Sequence, residues 1–164
     1  MLAFSASLSL PDYFRADFTQ TVAGDDNRSL RYEGRLLLRS ADENAKWIYT
    51  RPIPKTICVQ SGRVWVIEPE LEQVTLFRLR QSIPLAELIK KAKPDGEGGY
   101  SARYADTDYR LEADESGRPV TIAYTDEMGH RITIRFHDIR TDPIPADSLR
   151  CDPPEDYDIV DGRF

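Results

Sequence analysis

Short segments of strand-type sequence, separated by turn residues, run through most of this chain and constrain its fold more than any other feature. Between positions 30 and 139, each segment has about five to seven residues rich in Val, Ile, Thr, Tyr and Trp. All but one of the gaps are too short for the crossovers that a parallel sheet needs. The pattern therefore predicts an antiparallel meander of about nine to eleven strands.

Alternation along these segments indicates which side chains are buried. In "RITIRFH", Ile132, Ile134 and Phe136 point to one face and the polar residues to the other, which is typical of a strand with one wet face. The runs "WIY" (47–49) and "RVWVI" (63–67) have no polar residue in the middle, so both of their faces must avoid water. We therefore expect a mainly β fold, in which a curved antiparallel sheet forms an unclosed β-barrel around an apolar interior.

Near the N-terminus, the segment "SLPDYFRADFTQT" has the features of a short helix. Ser9 can cap it, and Pro11 suits its first turn. Leu10, Phe14 and Phe18 recur at four-residue spacing, which would place them on one face of that helix.

The meander is interrupted once, by "SIPLAELIKKAKPDGEGG". Ser82 can cap a second helix with Pro84 in its first turn, and Leu85, Leu88 and Ile89 form an apolar stripe along it. The proline and glycines that follow end the helix. With these elements, we expect two or three short α-helices over part of the sheet.

Length and charge limit the function classes that are open. A chain of 164 residues fits one domain, here 1–164. Its net charge of −6 argues against nucleic acid or an anionic membrane surface as the main partner. No apolar run reaches the roughly 18–20 residues that span a bilayer. The opening "MLAFSASLSLP" has no basic residues before an apolar core, so it is not a complete secretory signal.

The two cysteines, Cys58 and Cys151, lie far apart in the sequence and do not have a metal-ligand spacing. Two free buried thiols are the simpler interpretation, and a disulfide formed in an oxidising compartment is the alternative.

No residue pattern points to catalysis. His130 and His137 lie on or beside a strand with an exposed polar face, where solvated histidines are the default. The carboxylates cluster in turns, and the sequence contains none of the common nucleophile, phosphate-loop or zinc motifs. We therefore expect no catalytic residue, no metal and no cofactor. The apolar excess has two interpretations: a solid core, or a hollow that accepts an acyl chain.

The order of several motifs favours the hollow. "YFRADFTQTV" (13–22) resembles the F-x-A-x-F-x-Q-x-V opening of the LolA outer-membrane lipoprotein carrier family. "EGRLLLR", "KWIYTRP" and "SGRVWVIEPELEQVT" are similar to its next three motifs, "IPLAELI" stands where the family has its second helical segment, and "ITIRFHDIRTD" resembles its closing strands.

The resemblance implies an unclosed β-barrel whose apolar face is covered by a helical lid. It also implies a periplasmic monomer, with a signal peptide removed ahead of the chain. Such a carrier takes triacylated lipoproteins from an inner-membrane ABC transporter complex and hands them to an outer-membrane receptor. No covalent step is involved, so the protein would not be an enzyme.

Site residues follow from the motifs. We expect the lipid-binding cavity to be lined by Leu36, Leu38, Trp47, Tyr49, Trp65 and Ile67. We expect the lid to contribute Phe14, Phe18, Leu85, Leu88 and Ile89. In the family, an arginine followed by proline helps to hold the lid shut, but "LRSADENAKW" has no such pair. Arg39 and Arg51 are therefore our lid-lock candidates, the residues that could hold the lid shut here. An aromatic residue often stands two positions before the tryptophan in the family, and here that position is Ala45. Parity alone does not separate cavity-facing from back-facing residues, because both faces are apolar.

Two other functions fit the same fold. One is a carrier of another amphiphile, such as a glycolipid or polyene. The other is a lipid-sensing interaction domain, which binds lipid or a protein tail without transporting it.

Overall fold

A computed structural model describes residues 7–163, and strands dominate it. The start of the chain, on which the signal-peptide expectation rests, lies outside these residues. The strands are β1 (Tyr13–Ala23), β2 (Ser29–Arg39), β3 (Asn44–Arg51), β4 (Lys55–Gln60), β5 (Arg63–Glu68), β6 (Gln73–Arg78), β7 (Lys93–Pro94), β8 (Tyr100–Tyr104), β9 (Thr107–Ala113), β10 (Pro119–Thr125), β11 (Arg131–Arg140) and β12 (Asp158–Asp161). The helical elements are α1 (Leu85–Lys91) and three 3₁₀ turns, Pro69–Leu71, Leu79–Gln81 and Ala146–Leu149.

All twelve strands form one sheet, in the order β12-β6-β5-β4-β3-β2-β1-β11-β10-β9-β8-β7. Sequential strands pair antiparallel on both sides of the β1–β11 junction, and β12 joins β6 in parallel. The two ends of this order, β12 and β7, do not pair with each other, so the sheet is not closed into a barrel. The expected mainly β fold with an unclosed, largely antiparallel sheet is confirmed. The sheet has twelve strands, against the nine to eleven expected.

Contacts between distant strands indicate that the sheet curls. Trp47 on β3 and Phe136 on β11 are separated by two intervening strands, yet their ring centroids are 6.0 Å apart. Strands in a flat sheet are spaced about 4.8 Å apart, so these two positions would lie roughly 14 Å from each other. We call the face that carries Trp47 the inner face and the opposite one the back face.

The prediction of a helix near the N-terminus is wrong. That segment forms β1, which pairs along its whole length with β2 and over most of it with β11. Phe14, Ala16 and Phe18 are all buried on the inner face, so burial alternates every second residue. A four-residue spacing is compatible with this alternation as well as with a helix turn. Phe14 and Phe18 therefore belong to the sheet and not to a helical lid.

The second helix is where the sequence placed it, and α1 is the only α-helix in residues 7–163. The expected lid of several short α-helices is thus one helix of seven residues. Its cap is not Ser82, whose hydroxyl donates to the Leu79 carbonyl at 2.8 Å and closes the preceding 3₁₀ turn. Pro84 holds the N-cap position without a side-chain hydrogen bond.

Cys58 and Cys151 are joined by a disulfide across 93 residues of sequence. The simpler interpretation of two free thiols is therefore wrong. The bond connects β4 to the C-terminal segment on the back face, because Cys58 lies opposite Trp65 and points away from the inner-face residues Ile57 and Val59.

Candidate functional site

The inner face gathers four of the six expected cavity residues. Strand register places Leu36 opposite Trp47 and Leu38 opposite Ala45, and Tyr49 follows on the same side. All four expected residues are buried in one apolar cluster. Phe18, which we expected in a lid, lies at the centre of this cluster, with its ring 5.4 Å from that of Trp47 and 5.0 Å from that of Tyr49.

Helix α1 covers part of this face. Leu85 and Leu88 are buried in the same cluster, and Ile89 is partly buried against it. Beneath the N-terminal end of the helix lies a cavity of about 50 Å³. Its wall includes Leu36, Leu38, Ala45, Trp47, Val59, Ile83 and Leu85. A space of this size holds no more than a few water molecules, so with α1 in this position the part of the apolar face beneath the helix is closed.

Further along the inner face, towards β6, the surface is open. A second cavity of about 240 Å³ lies over Ile57, Val66 and Phe77, with Lys55 and Glu68 at its rim. The Lys55 ammonium lies 4.6 Å from the centre of the Tyr49 ring. Burial lowers the pKa of Lys55, against the attraction of Glu68. The cavity is therefore apolar at its base and carries one desolvated cation at its edge.

Trp65 and Ile67 do not belong to this site. Trp65 lies opposite Cys58 and Leu76, and Ile67 lies opposite Thr56 and Val74, so both residues point to the back face. Their expected place in the inner cavity is wrong. On β5 the inner-face positions are Val64 and Val66, the neighbours that an alternating strand turns the other way.

Neither lid-lock candidate pairs with the helix. The Arg39 guanidinium donates to Asp42 in the β2–β3 turn, at 3.1 Å from Nε to Oδ2. This hydrogen bond holds the pKa of the Asp42 carboxyl below its usual value. Within residues 7–163, Arg51 has no carboxylate within the 4.0 Å of an ion pair. Among the described residues, Arg39 and Arg51 therefore form no ion pair with α1.

The ion pair that does hold the helix is one that sequence reasoning missed. Lys90 of α1 donates to Glu43, the residue after Asp42 in the same turn. The hydrogen bond to Glu43 raises the pKa of Lys90. The signal in the sequence was the acidic turn "ADEN" and the lysines ending the helix, but nothing there placed the two together. Arg39 contributes indirectly, because it fixes Asp42 beside Glu43.

Two polar groups are buried in the apolar cluster. The Tyr49 hydroxyl donates to the Gln20 side chain, and burial raises its pKa well above the ordinary value. The indole Nε1 of Trp47 is buried and has no acceptor among the described residues. An unpaired buried donor is costly, and Trp47 borders the cavity beneath α1.

His137 is less isolated than the sequence suggested. Potential ligand atoms of Asp17, His137 and Asp138 on the back face lie within 4.8 Å of one another. Arg35 already occupies the Asp17 carboxylate at 3.1 Å, and His137 and Asp138 are exposed, so these three residues form a solvated polar cluster.

The geometry thus defines an open β-sheet protein whose apolar inner face is partly covered by one helix, which buries Leu85 and Leu88 and forms an ion pair with the β2–β3 turn. No helix within residues 7–163 has the length and apolar character needed to cross a membrane.

Comparison with known proteins gives the family. The family model described as "Outer membrane lipoprotein carrier protein LolA" matches residues 12–93. An outer-membrane lipoprotein carrier protein of Wolinella succinogenes is 31% identical over 131 residues, which cover 80% of this chain and 76% of that protein. The one of Helicobacter hepaticus is 29% identical, covering 89% and 82%. The crystal structure of a LolA superfamily protein from Nitrosomonas europaea aligns with a TM-score of 0.55 at 14% identity, covering 88% of this chain and 92% of that one. The chain belongs to the LolA family of outer membrane lipoprotein carrier proteins.

Proposed function

We propose that this protein carries lipoproteins from the inner to the outer membrane by holding their acyl chains, without a covalent bond, on the inner face beneath α1. The single observation that carries the proposal is the continuous apolar inner face, with Leu36, Leu38 and Trp47 as its base and α1 as its cover. The names of the relatives support lipoproteins as cargo. The chain would act as one domain and as a monomer.

Loading requires that α1 moves, because the cavity beneath it is too small for an acyl chain. Movement exposes Leu85 and Leu88, which costs hydrophobic free energy, and an incoming chain offsets that cost by about 0.8 kcal/mol for each CH₂ it buries. The pair between Lys90 and Glu43 opposes opening only weakly, since 62% of the Lys90 side chain is exposed. Such a nearly balanced exchange suits a carrier that must also release its cargo.

The partners and the compartment are part of the proposal. An inner-membrane ABC transporter complex would load the carrier, and an outer-membrane receptor would unload it. The disulfide between Cys58 and Cys151 supports the periplasm as the compartment, because disulfides persist in oxidising environments.

The unpaired Trp47 indole N–H is suited to donate a hydrogen bond to an ester carbonyl near the head of an acyl chain.

The test is displacement of a fluorescent fatty-acid probe by a synthetic triacylated lipopeptide. The decisive protein is the Glu43→Cys/Lys90→Cys variant, in which a short bismaleimide links α1 to the β2–β3 turn. We expect the unlinked variant to bind the probe and release it to the lipopeptide, and the linked variant to lose the fraction of the probe that the lipopeptide displaces. Wild-type protein treated with the same reagent is the control. An equal displaceable fraction in linked and unlinked protein would place the acyl chains somewhere other than beneath α1.

A second variant, Leu36→Glu, tests the base of the site. Leu36 is fully buried, so circular dichroism must first show that the variant is folded. A charged carboxylate in the cavity disfavours an acyl chain, and we expect the lipopeptide-displaceable fraction of the probe to bind at least tenfold more weakly. If a glycolipid displaces the probe better than the lipopeptide does, the cargo is another amphiphile.

A further inference from the structure

A second apolar space lies mainly on the back face, and it reaches the edge of the inner face at Val64, Phe77 and Leu79. It is a groove of about 690 Å³ between β5, β6 and the C-terminal segment. Its apolar wall is formed by Trp65, Val74, Leu76, Pro153, Tyr157 and Ile159. This volume is in the range of small-molecule sites, and it is more than ten times the volume beneath α1.

The outer wall of the groove is fixed at both ends. At one end, the disulfide attaches Cys151 to β4. At the other, β12 pairs with β6, the Arg78 Nε donates to the Arg163 carbonyl at 3.0 Å, and the Gln81 amide donates to the Gly162 carbonyl at 3.0 Å. The groove is therefore built by a segment that is bonded on both sides, and not by a loose chain end.

One end of the groove carries two arginines that form no ion pair among the described residues. Arg63 and Arg78 lie directly opposite each other on β5 and β6, and both line the groove. Like charges in this position are destabilising. Among the described residues, no carboxylate comes within 4.0 Å of either guanidinium, and Asp161, the acid that Arg78 influences, is bound by Arg163 at 2.9 Å. Glu155 is the single acidic residue on the groove wall.

An apolar wall that ends in two facing arginines fits a ligand that is apolar along its length and negatively charged at one end. We propose that the back groove binds an amphiphile with one apolar chain and an anionic head, a carboxylate, sulfate or phosphate. The chain lies along Trp65, Val74 and Leu76, and the head accepts hydrogen bonds from Arg63 and Arg78. This site goes beyond the proposed lipoprotein function and does not depend on it.

Because each site has its own tryptophan, fluorescence can report ligand binding at the two sites separately. Trp65 borders the groove and Trp47 borders the cavity beneath α1, and the chain has no other tryptophan. Dodecanoate is titrated into protein in which the Glu43→Cys/Lys90→Cys link keeps α1 closed, with and without Trp65→Phe, and tryptophan fluorescence and calorimetry are the readouts. We expect a saturable fluorescence change in the linked protein that is absent when Trp65→Phe is added, because the link keeps the chain away from Trp47. Dodecanol, which has the same chain without the charge, should bind at least tenfold more weakly.

The arginines are tested by Arg63→Gln/Arg78→Gln, with the exposed Arg103→Gln as the matched control. We expect the double variant to bind dodecanoate at least tenfold more weakly and the control to bind like the wild type. Inorganic phosphate alone should bind weakly, because it lacks the chain. Equal binding of dodecanol and dodecanoate, an unaffected double variant, or a fluorescence signal that persists in the linked Trp65→Phe protein would each overturn the proposal. Loss of lipopeptide binding beneath α1 would leave these results unchanged.

Discussion

Gly34 shows at the scale of one residue how a close approach between two strands requires a glycine. It lies on the inner face of β2, next to an irregularity in the pairing with β3. A Cβ atom at this position would come within 2.1 Å of the Ile48 carbonyl oxygen and 2.8 Å of the Phe18 ring. One contact is with backbone and the other with a buried ring, so neither can move away easily. The close approach of β2 and β3 beneath Phe18 therefore depends on the absence of a side chain.

We predict that Gly34→Ala lowers the free energy of unfolding by about 2–3 kcal/mol or more, because the methyl group overpacks the sheet. Urea unfolding followed by circular dichroism measures the change. Gly62→Ala is the control: its Cβ would meet nothing within 4 Å, but its φ of +77° makes any side chain cost about 1 kcal/mol. If Gly34→Ala loses no more free energy than Gly62→Ala, the neighbours of Gly34 give way to the methyl group and the crowding argument is wrong.

The two tryptophans show which site residues could be predicted from the sequence and which could not. The sequence identified Leu36, Leu38, Trp47 and Tyr49 as one apolar set, and the structure brings them together. It also assigned Trp65 and Ile67 to that set, and these point to the other face. Alternation fixes which residues share a face within one strand, but the relative phase of two strands depends on pairing register. Where both faces are apolar, no polar residue reveals that phase.

At the scale of elements, the same limit separates the two predicted helices. The stripe in α1 has three- and four-residue spacings, which a strand cannot place on one side. The N-terminal segment offered only a four-residue spacing, which a strand satisfies too. What decides for β1 is pairing with β2 and β11, and β11 lies more than a hundred residues away in the chain. That long-range pairing leaves no local trace in the sequence.

The hairpin between β9 and β10 depends on one carboxylate. Asp114 accepts hydrogen bonds from the backbone N–H groups of Ser116 and Arg118, at 2.9 and 3.0 Å, and from the Arg118 guanidinium at 2.8 Å. Desolvation by burial raises the pKa of Asp114, but the hydrogen bonds outweigh it and the pKa lies below the ordinary 3.8. The ionised form is therefore the one that stabilises the turn.

We predict that Asp114→Ala lowers the free energy of unfolding at neutral pH by about 1 kcal/mol. Because the folded-state pKa is depressed, the wild-type advantage is fully present above the unfolded value of 3.8. It is lost as the pH falls through the lower folded-state pKa. Urea unfolding of both proteins between neutral pH and about pH 2 measures the difference, with the neighbouring Glu115→Ala as control. An advantage that stays constant across this range would contradict the assignment.

At the scale of the whole molecule, two connections join distant parts of the chain. Pairing of β1 with β11 unites the two halves of the sheet, and the disulfide ties the C-terminal segment to β4. The family resemblance anticipated the sheet. The disulfide remained one of two alternatives, because a separation of 93 residues carries no information about distance in space. The back groove depends on that bond and was not anticipated for the same reason.

We predict that Cys58→Ser/Cys151→Ser lowers the free energy of unfolding by about 2–5 kcal/mol, since a crosslink over so long a loop restricts the unfolded chain strongly. Urea unfolding measures this, and the m-value should rise because the unfolded variant is less compact. The bond lies on the opposite side of the sheet from the inner face, so lipopeptide binding beneath α1 should persist, whereas dodecanoate binding should weaken as the wall of the groove loosens. Wild-type protein in reductant should behave as the variant does. An unchanged free energy would mean that β12 alone holds the C-terminal segment in place.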